Sequence, residues 1–200
     1  MLDGMPAQAK TTDAAVIAAA RRLLEKKGMG GLTLTDVATA VGLRAPSLYR
    51  RFENREALLH QVELALWNAL GEALRKAARP VDPIASLTAQ AIAYRRFAKR
   101  NPNGYALLFQ STSPASEAGL RAREQALAAS MPAFANLVGA EQLLSAARVL
   151  TPYLHGFVSM EIAGAFRLGG GLDAAFRRGV ATILRGLTDA LPAAKTKATY

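Results

Sequence analysis

The chain has 200 residues, 51% of them hydrophobic and only 20% charged, which provides for a sizeable core and argues against global disorder. It contains no cysteine, which excludes disulfides, thiolate chemistry and Cys-based zinc sites. The net charge of +10 suggests a polyanionic partner, but residues 1–60 carry nine Lys/Arg against six Asp/Glu and residues 61–200 sixteen against nine, so charge alone locates no site.

Abundant Ala and Leu with only 6% aromatics favours helices, because Ala and Leu lose little on entering a helix whereas strands prefer β-branched and aromatic residues. Residues 1–10 read as a flexible arm. The pattern predicts a first helix over about 12–27, with Val16, Ile17, Ala20, Leu23 and Leu24 on one apolar stripe and Gly28 as its stop. Thr33-Leu34-Thr35-Asp36 reads as a capping box opening a short second helix, with Val37, Ala38 and Val41 inward, and Gly42 permits a sharp turn. Pro46 suits the first turn of a short third helix, whose buried side is Leu48 and Phe52. Asn54 caps a long fourth helix reaching about residue 78, ended by Arg79-Pro80.

Asp82-Pro83 starts a fifth helix with the stripe Ile84, Leu87, Ala91, Tyr94 and Ala98, ended by Asn101-Pro102, and a short helix covers 103–110. Residues 111–116 read as a loop. A helix follows from about Glu117, kinked or broken near Pro132, and another runs over about 140–168 with Pro152 as a bend. Gly169-Gly170-Gly171 is a break. Asp173 caps a last helix through 190, with Phe176, Val180, Ile183, Leu184, Leu187 and Leu191 on its apolar face, before a frayed tail at 193–200. There is no strand pattern and no internal repeat. The N-terminus lacks a basic segment followed by an apolar run, and no stretch is apolar enough to span a bilayer, so a soluble cytoplasmic protein is expected.

The segment 33–59 is the informative one. Two short amphipathic helices meeting at a glycine need the first helix to close a three-helix core, and Ala38 is small where the two would cross. Arg44, Ala45, Ser47, Tyr49, Arg50 and Arg51 remain outward on the third helix, placing donors for phosphates and base edges on an element slim enough for the major groove. Over residues 44–55, Arg44, Arg50, Arg51 and Arg55 against Glu53 give a local +3. A solvated helix hairpin inside an ordinary bundle would show the same periodicity, and from pattern and charge both readings stay open.

Gly31-Leu32-Thr33, Asp36-Val37-Ala38, Val41-Gly42-Leu43, Ser47-Leu48-Tyr49-Arg50-Arg51-Phe52 and Arg55-Glu56-Ala57-Leu58-Leu59 together resemble the DNA-binding domain of TetR-type repressors, continuously over roughly 12–65. The resemblance implies that the third helix enters the major groove and that Tyr49 binds a phosphate. It places Ala45, Pro46 and Arg50 near bases and Arg55, at the next helix's N-terminus, on the DNA backbone; Thr33, Thr35, Ser47 and Arg51 complete the candidate set. Arg44 stands where the family often has a capping serine, which weakens the cap and makes Arg44 a base or phosphate contact. Arg55 stands where lysine is common, and either neutralises a phosphate.

Farther on, Tyr153-Leu154-His155-Gly156-Phe157-Val158 and Met160-Glu161-Ile162-Ala163-Gly164 are similar to a C-terminal subgroup of these regulators marked by a Trp-His-Gly signature, with tyrosine in place of the tryptophan. In the family the last two long helices pair with their copies across a two-fold axis. Independently, residues 140–168 are apolar nearly all round, with Glu141, Arg148, Glu161 and Arg167 as the only charges, the pattern of a helix buried on all sides. Gly156 and Gly164 would allow close backbone approach there.

His60 and His155 are the only histidines, and no carboxylate lies three or four residues from His155, so no metal pair and no nucleophile–base set can be assembled around it. His155 reads as a hydrogen-bonded structural or pocket histidine. Trp67, Tyr94, Phe97, Tyr105, Phe109, Met131 and Phe134 recur on the middle helices. Each singly reads as core filler; collectively, with prolines at 102, 132 and 152 opposing tight packing, they are candidates with His155 to line a cavity for a largely apolar ligand. Arg95, Arg96, Lys99 and Arg100 read as a solvated face.

The expected architecture is all-α: a helix-turn-helix DNA-binding domain at 11–70 and a helical-bundle ligand-binding and dimerisation domain at 71–190. The resemblance implies a one-component regulator, not an enzyme, that needs no cofactor or metal. It would be homodimeric through its last two helices, occupying a palindromic operator in double-stranded DNA and released by a small-molecule effector. An activator is a rival within DNA binding. A basic helical adaptor for an acidic protein or membrane surface is the rival from another class.

Overall fold

The computed structural model describes residues 11–79, 81–110 and 116–189. The expectations for the arm at 1–10, the loop at 111–115, Leu191 and the tail at 193–200 lie outside them. Ten helices and no strand are present among the described residues. The backbone clusters into two compact units, one built from the segment ending at Leu66 together with Asn103–Gly119, the other from Trp67–Pro102 and the chain from Leu120 on.

The first unit contains α1 (Asp13–Gly31), α2 (Leu34–Ala40), α3 (Ala45–Tyr49), the N-terminal part of α4 (Arg55–Ala77) and α6 (Pro102–Gln110). The Thr12 hydroxyl accepts from the Ala15 N–H at 3.2 Å and starts α1, and Gly28 breaks it with φ +72° before a further turn to Gly31. Val16, Ala20 and Leu24 of α1 close a core with Leu34, Val37 and Ala38 of α2, Leu48 of α3, Phe52 and Leu58, all buried. Neither short helix could bury this much alone. Gly42 takes φ +69° after α2, so the Leu43 N–H reaches the Ala38 carbonyl at 2.8 Å and the Gly42 N–H that of Thr39 at 3.2 Å. That paired closure absorbs the last carbonyls of α2 and turns the chain into α3.

The sequence offered no sign that α6 belongs with this unit. The Glu25 carboxylate accepts from the Asn103 N–H at 3.0 Å and the Gly104 N–H at 2.8 Å, and the Glu25 carbonyl accepts from Asn103 Nδ2 at 2.9 Å. A carboxylate there satisfies orphan donors and complements the positive end of the helix.

The second unit holds the rest of α4, then α5 (Pro83–Arg100), α7 (Glu117–Ala128), α8 (Met131–Val138), α9 (Leu143–Ile162) and α10 (Leu172–Asp189). Leu70, Leu87, Ala98, Phe134, Leu150, Val158, Phe176, Val180 and Leu184 are among its buried side chains. The break between α7 and α8 falls beside Pro132, which sits in the first turn of α8. The phenol end of Tyr153 of α9 abuts α10 where Gly179 stands, and any Cβ there would overlap its hydroxyl; that hydroxyl donates to the Phe176 carbonyl at 3.3 Å.

Three expectations need correction. The helix expected over 140–168 begins at Leu143 and ends at Ile162, because Gly164 takes φ +65° and lets the Ala165 N–H close on the Met160 carbonyl at 2.9 Å. Gly164 therefore lies outside the helix, and Leu144, Val149, Met160 and Ile162 are exposed in the single chain rather than buried on all sides. Asp173 is not a cap: it lies inside the first turn of α10, where Gly171 provides the carbonyl for the Ala175 N–H at 3.0 Å.

The third correction concerns Arg95, which is only 9% exposed and no part of a solvated face. Its Nε and Nη2 donate to the two Glu161 oxygens at 2.6 and 2.7 Å, and its Nη1 to Asp173 Oδ1 at 2.6 Å. The guanidinium also lies 5.0 Å from the Phe176 ring centre. Lys99 adds a second cation to Glu161 at 2.7 Å, so α5, α9 and α10 are tied through one ionic cluster. Donation from Arg95 holds the Glu161 carboxyl below its ordinary value of 4.5. Arg96 and Arg100 do face solvent.

Candidate nucleic-acid interface and apolar cavity

The helix-turn-helix divides the candidate residues into those that face out and those that hold the unit together. Arg44, Pro46, Tyr49 and Arg50 are exposed on α3, Tyr49 at 51%, while Ala45 and Ser47 are half-buried. Arg44 occupies the N-cap position without a side-chain cap bond, and no ion pair involves Arg44 or Arg50 among the described residues. Arg50 makes one 3.4 Å contact to the Ser47 hydroxyl. Two guanidinium groups outside any ion pair thus flank a five-residue helix that exposes a phenol, a donor set suited to phosphate oxygens and base edges.

Thr35 is exposed on α2. Thr33 is occupied as the N-cap: its hydroxyl accepts from the Asp36 N–H at 3.1 Å and donates to the Asp36 carboxylate at 2.8 Å. Lys27 lies 2.8 Å from the other Asp36 oxygen, and these contacts, Lys27 first, lower the Asp36 carboxyl below its usual range.

Arg51 and Arg55 turn inward. Arg51 donates to the Thr11 carbonyl at 2.7 Å and pairs with Asp13 at 3.1 Å, fastening the start of α1. Arg55 donates through Nε to the Leu32 carbonyl at 2.9 Å and through Nη2 to the Met29 carbonyl, so it binds the carbonyls at the end of α1. Its remaining arm reaches Glu56 at 3.4 Å. Two of the four arginines that make this stretch basic are thereby spent on backbone.

The second unit holds a partly open cavity of about 340 Å³. Tyr94 of α5 and Met131 and Phe134 of α8 lie on its wall, joined by Leu74 of α4, Leu127 of α7 and Leu150 and Leu154 of α9. Pro152 is also on the wall. The other aromatic candidates are elsewhere. Trp67 is buried beneath the Arg123 guanidinium, 5.9 Å from its ring centre, and Phe97 is core. Tyr105 and Phe109 pack on each other at 4.9 Å in α6, within the first unit. His155 is half-buried next to Leu154 but off the wall, and burial pushes its imidazole below the ordinary 6.5.

Sequence reasoning missed Gln90, which lies on the wall and is 3% exposed. The signal was there: it interrupts the α5 stripe between Leu87 and Tyr94, where a polar residue must be buried. Arg148, Thr151 and Ser130 are the other polar residues of the wall apart from the Tyr94 hydroxyl. Among the described residues no three acidic or histidine side chains come together to hold a metal ion, and no helix is long and apolar enough to cross a membrane.

Comparison with known proteins sets these features in context. Residues 16–62 match the family model of bacterial regulatory proteins of the tetR family, and residues 87–183 the model of the tetracyclin repressor-like C-terminal domain. An uncharacterized HTH-type transcriptional regulator of Mycobacterium tuberculosis is 28% identical over 160 residues, covering 78% of this chain and 72% of the relative. A protein of unknown function from Rhodococcus sp. RHA1 is similar in structure with a TM-score of 0.80 at 24% identity, over 92% of this chain and 100% of that one. A TetR from Acinetobacter baumannii AYE, solved in complex with minocycline, has a TM-score of 0.66 at 25% identity over the same shares.

Proposed function

The chain belongs to the TetR family of bacterial regulatory proteins and is a DNA-binding transcriptional regulator, not an enzyme; from that premise we propose that it is a homodimeric repressor, released from a palindromic operator by a small, largely apolar ligand. The observation that carries the reading is the outward face of α3, where Arg44, Tyr49 and Arg50 stand exposed with no carboxylate paired to either arginine among the described residues. In this reading Tyr49 binds a phosphate, and Arg44 and Arg50 read base edges beside Ala45 and Pro46. Thr35 and Ser47 supply further hydroxyl contacts. Arg51, Arg55 and Thr33 keep the reading helix rigid against α1 and α2.

The boundaries expected for the two functions, 11–70 and 71–190, place DNA reading on α1–α3 and regulation on the helices around the cavity. For the α9 side of dimerisation through the last two helices, the support is the exposed Leu144, Val149, Met160 and Ile162, apolar side chains that a single subunit leaves in water. The cavity suits an apolar effector, and the minocycline complex of the Acinetobacter protein favours a small organic molecule. α4 is one continuous helix from Arg55, beside the reading helix, to Leu74 on the cavity wall and on to Ala77. A ligand that displaces its far end would change the separation of the two reading helices, provided it binds the released state more tightly than the DNA-bound one.

Fluorescence anisotropy on a DNA site obtained by selection from random double-stranded DNA tests the reading. Arg44→Ala or Arg50→Ala should cost roughly 1–3 kcal/mol of discrimination at one base pair per half-site. Tyr49→Phe should weaken binding to all sequences alike, since phosphate contacts carry no sequence information. Unchanged affinity and preference in all three variants would remove α3 as the reading element.

A further inference from the structure

Gln90 Oε1 is, among the described residues, the one buried side-chain polar atom without a hydrogen-bond partner. The other end of the same amide is fully committed: Nε2 donates to the Ala129 carbonyl at 3.0 Å and reaches the Leu74 carbonyl at 3.4 Å. Both partners are backbone acceptors, so the amide cannot be turned round without setting oxygen against oxygen. The orientation is therefore fixed, and the side chain that carries the unmatched acceptor lies on the wall of the apolar cavity. Burying a carbonyl oxygen without a donor is costly, and a folded chain retains such a group where something else completes it.

Resting on the reading of this cavity as the effector site, we infer that the effector is an uncharged, apolar molecule carrying one O–H or N–H donor, which docks on Gln90 Oε1. The rest of the wall decides the charge. Among the described residues no Asp or Glu lines the cavity, and the one charged residue on its wall is Arg148, which is exposed. An ammonium group would be buried without a counter-ion, and a carboxylate would meet an acceptor where it needs a donor. A hydroxyl or amide N–H meets the amide oxygen without either penalty.

The test compares 2-naphthol with 2-methoxynaphthalene by calorimetry on the full chain, the two sharing one apolar frame and differing in the donor. The wild type should bind 2-naphthol roughly ten-fold more tightly. In Gln90→Leu and Gln90→Met that advantage should disappear, the ratio of the two affinities falling to about one. Equal wild-type affinities would overturn the inference while leaving the cavity as a site for apolar molecules. An advantage that survives both substitutions would overturn it too, because another group would then be the acceptor. Binding of neither probe would remove the cavity as an apolar effector site, and the inference with it. Should both variants fail to fold, a crystal structure of the wild-type 2-naphthol complex decides: the phenol oxygen lies within hydrogen-bond distance of Gln90 Oε1, or the inference fails.

Discussion

Replacing Glu161 by glutamine removes one charge from the ionic cluster at almost unchanged volume. Glu161 is 8% exposed at its side chain and accepts both arms of Arg95, at 2.6 and 2.7 Å, with Lys99 at 2.7 Å. Breaking a buried pair costs about 3–5 kcal/mol, because the surviving charge stays buried without compensation. Arg95 keeps Asp173, but that carboxylate is 81% exposed and compensates weakly, which sets the expected loss at about 3 kcal/mol, the lower end of that range. In a chain of this size each kcal/mol moves Tm by about 2–4 °C, so thermal unfolding followed by circular dichroism should shift down by about 6–12 °C. The double variant Arg95→Met/Glu161→Met removes both charges and should be more stable than Arg95→Met alone, since the desolvation penalty leaves with the pair. It still forfeits the contact of the guanidinium with Phe176, worth roughly 0.5–2 kcal/mol, and so need not reach the wild type. A shift under 2 °C for Glu161→Gln, or strictly additive losses in the double variant, would refute the claim that this cluster ties α5 to α9 and α10.

The same carboxylate sets an acid limit. Its folded value lies below the ordinary 4.5, so its stabilisation is fully present above pH 4.5 and is lost as pH falls through the lowered value; the stability gap between wild type and Glu161→Gln should close on that side only, as urea titrations across pH would show. At the proposed dimer face, Ile162→Glu should yield a folded monomer by sedimentation with operator binding lost, whereas Leu184→Glu, at a site with 0% exposure, should unfold the subunit; a dimeric Ile162→Glu would move the interface elsewhere.

Local signals were legible in the sequence wherever chemistry and spacing act within one turn. Thr33 followed by Asp36, the glycine at 42 and the asparagine at 54 each announce a cap or a turn, and each performs it: Asn54 Oδ1 accepts from the Ala57 N–H at 2.8 Å. The end of α9 was less legible, because Ala163 is helix-compatible and the Gly169-Gly170-Gly171 run is a louder stop than the single Gly164 that ends the helix. Partners distant along the chain left no trace. Nothing local distinguishes Arg95, which pairs 66 positions away with Glu161, from Arg96, which faces water, since both sit in one basic run. Arg51 reads as a DNA contact from local charge and Arg55 from the family resemblance, and neither signal shows the carbonyls of Thr11, Leu32 and Met29 that these side chains bond in the folded chain. Aromatic content pointed to a cavity, but its wall is set by which face of each helix turns inward. That leaves Tyr94 on the wall and puts Trp67 and Phe97 in packing.

Selection of binding sites from random double-stranded DNA bears on all of this at once. Two identical reading helices related by a two-fold axis must recognise identical half-sites in inverted order, so the enriched sequences should be pseudo-palindromes. Each half should hold a few specified base pairs, with centres about one helical turn or more apart on one face of the duplex. Inserting about half a helical turn between the halves should abolish tight binding. Enrichment of a single asymmetric motif, or no enrichment of any sequence, would contradict a dimeric, operator-reading regulator.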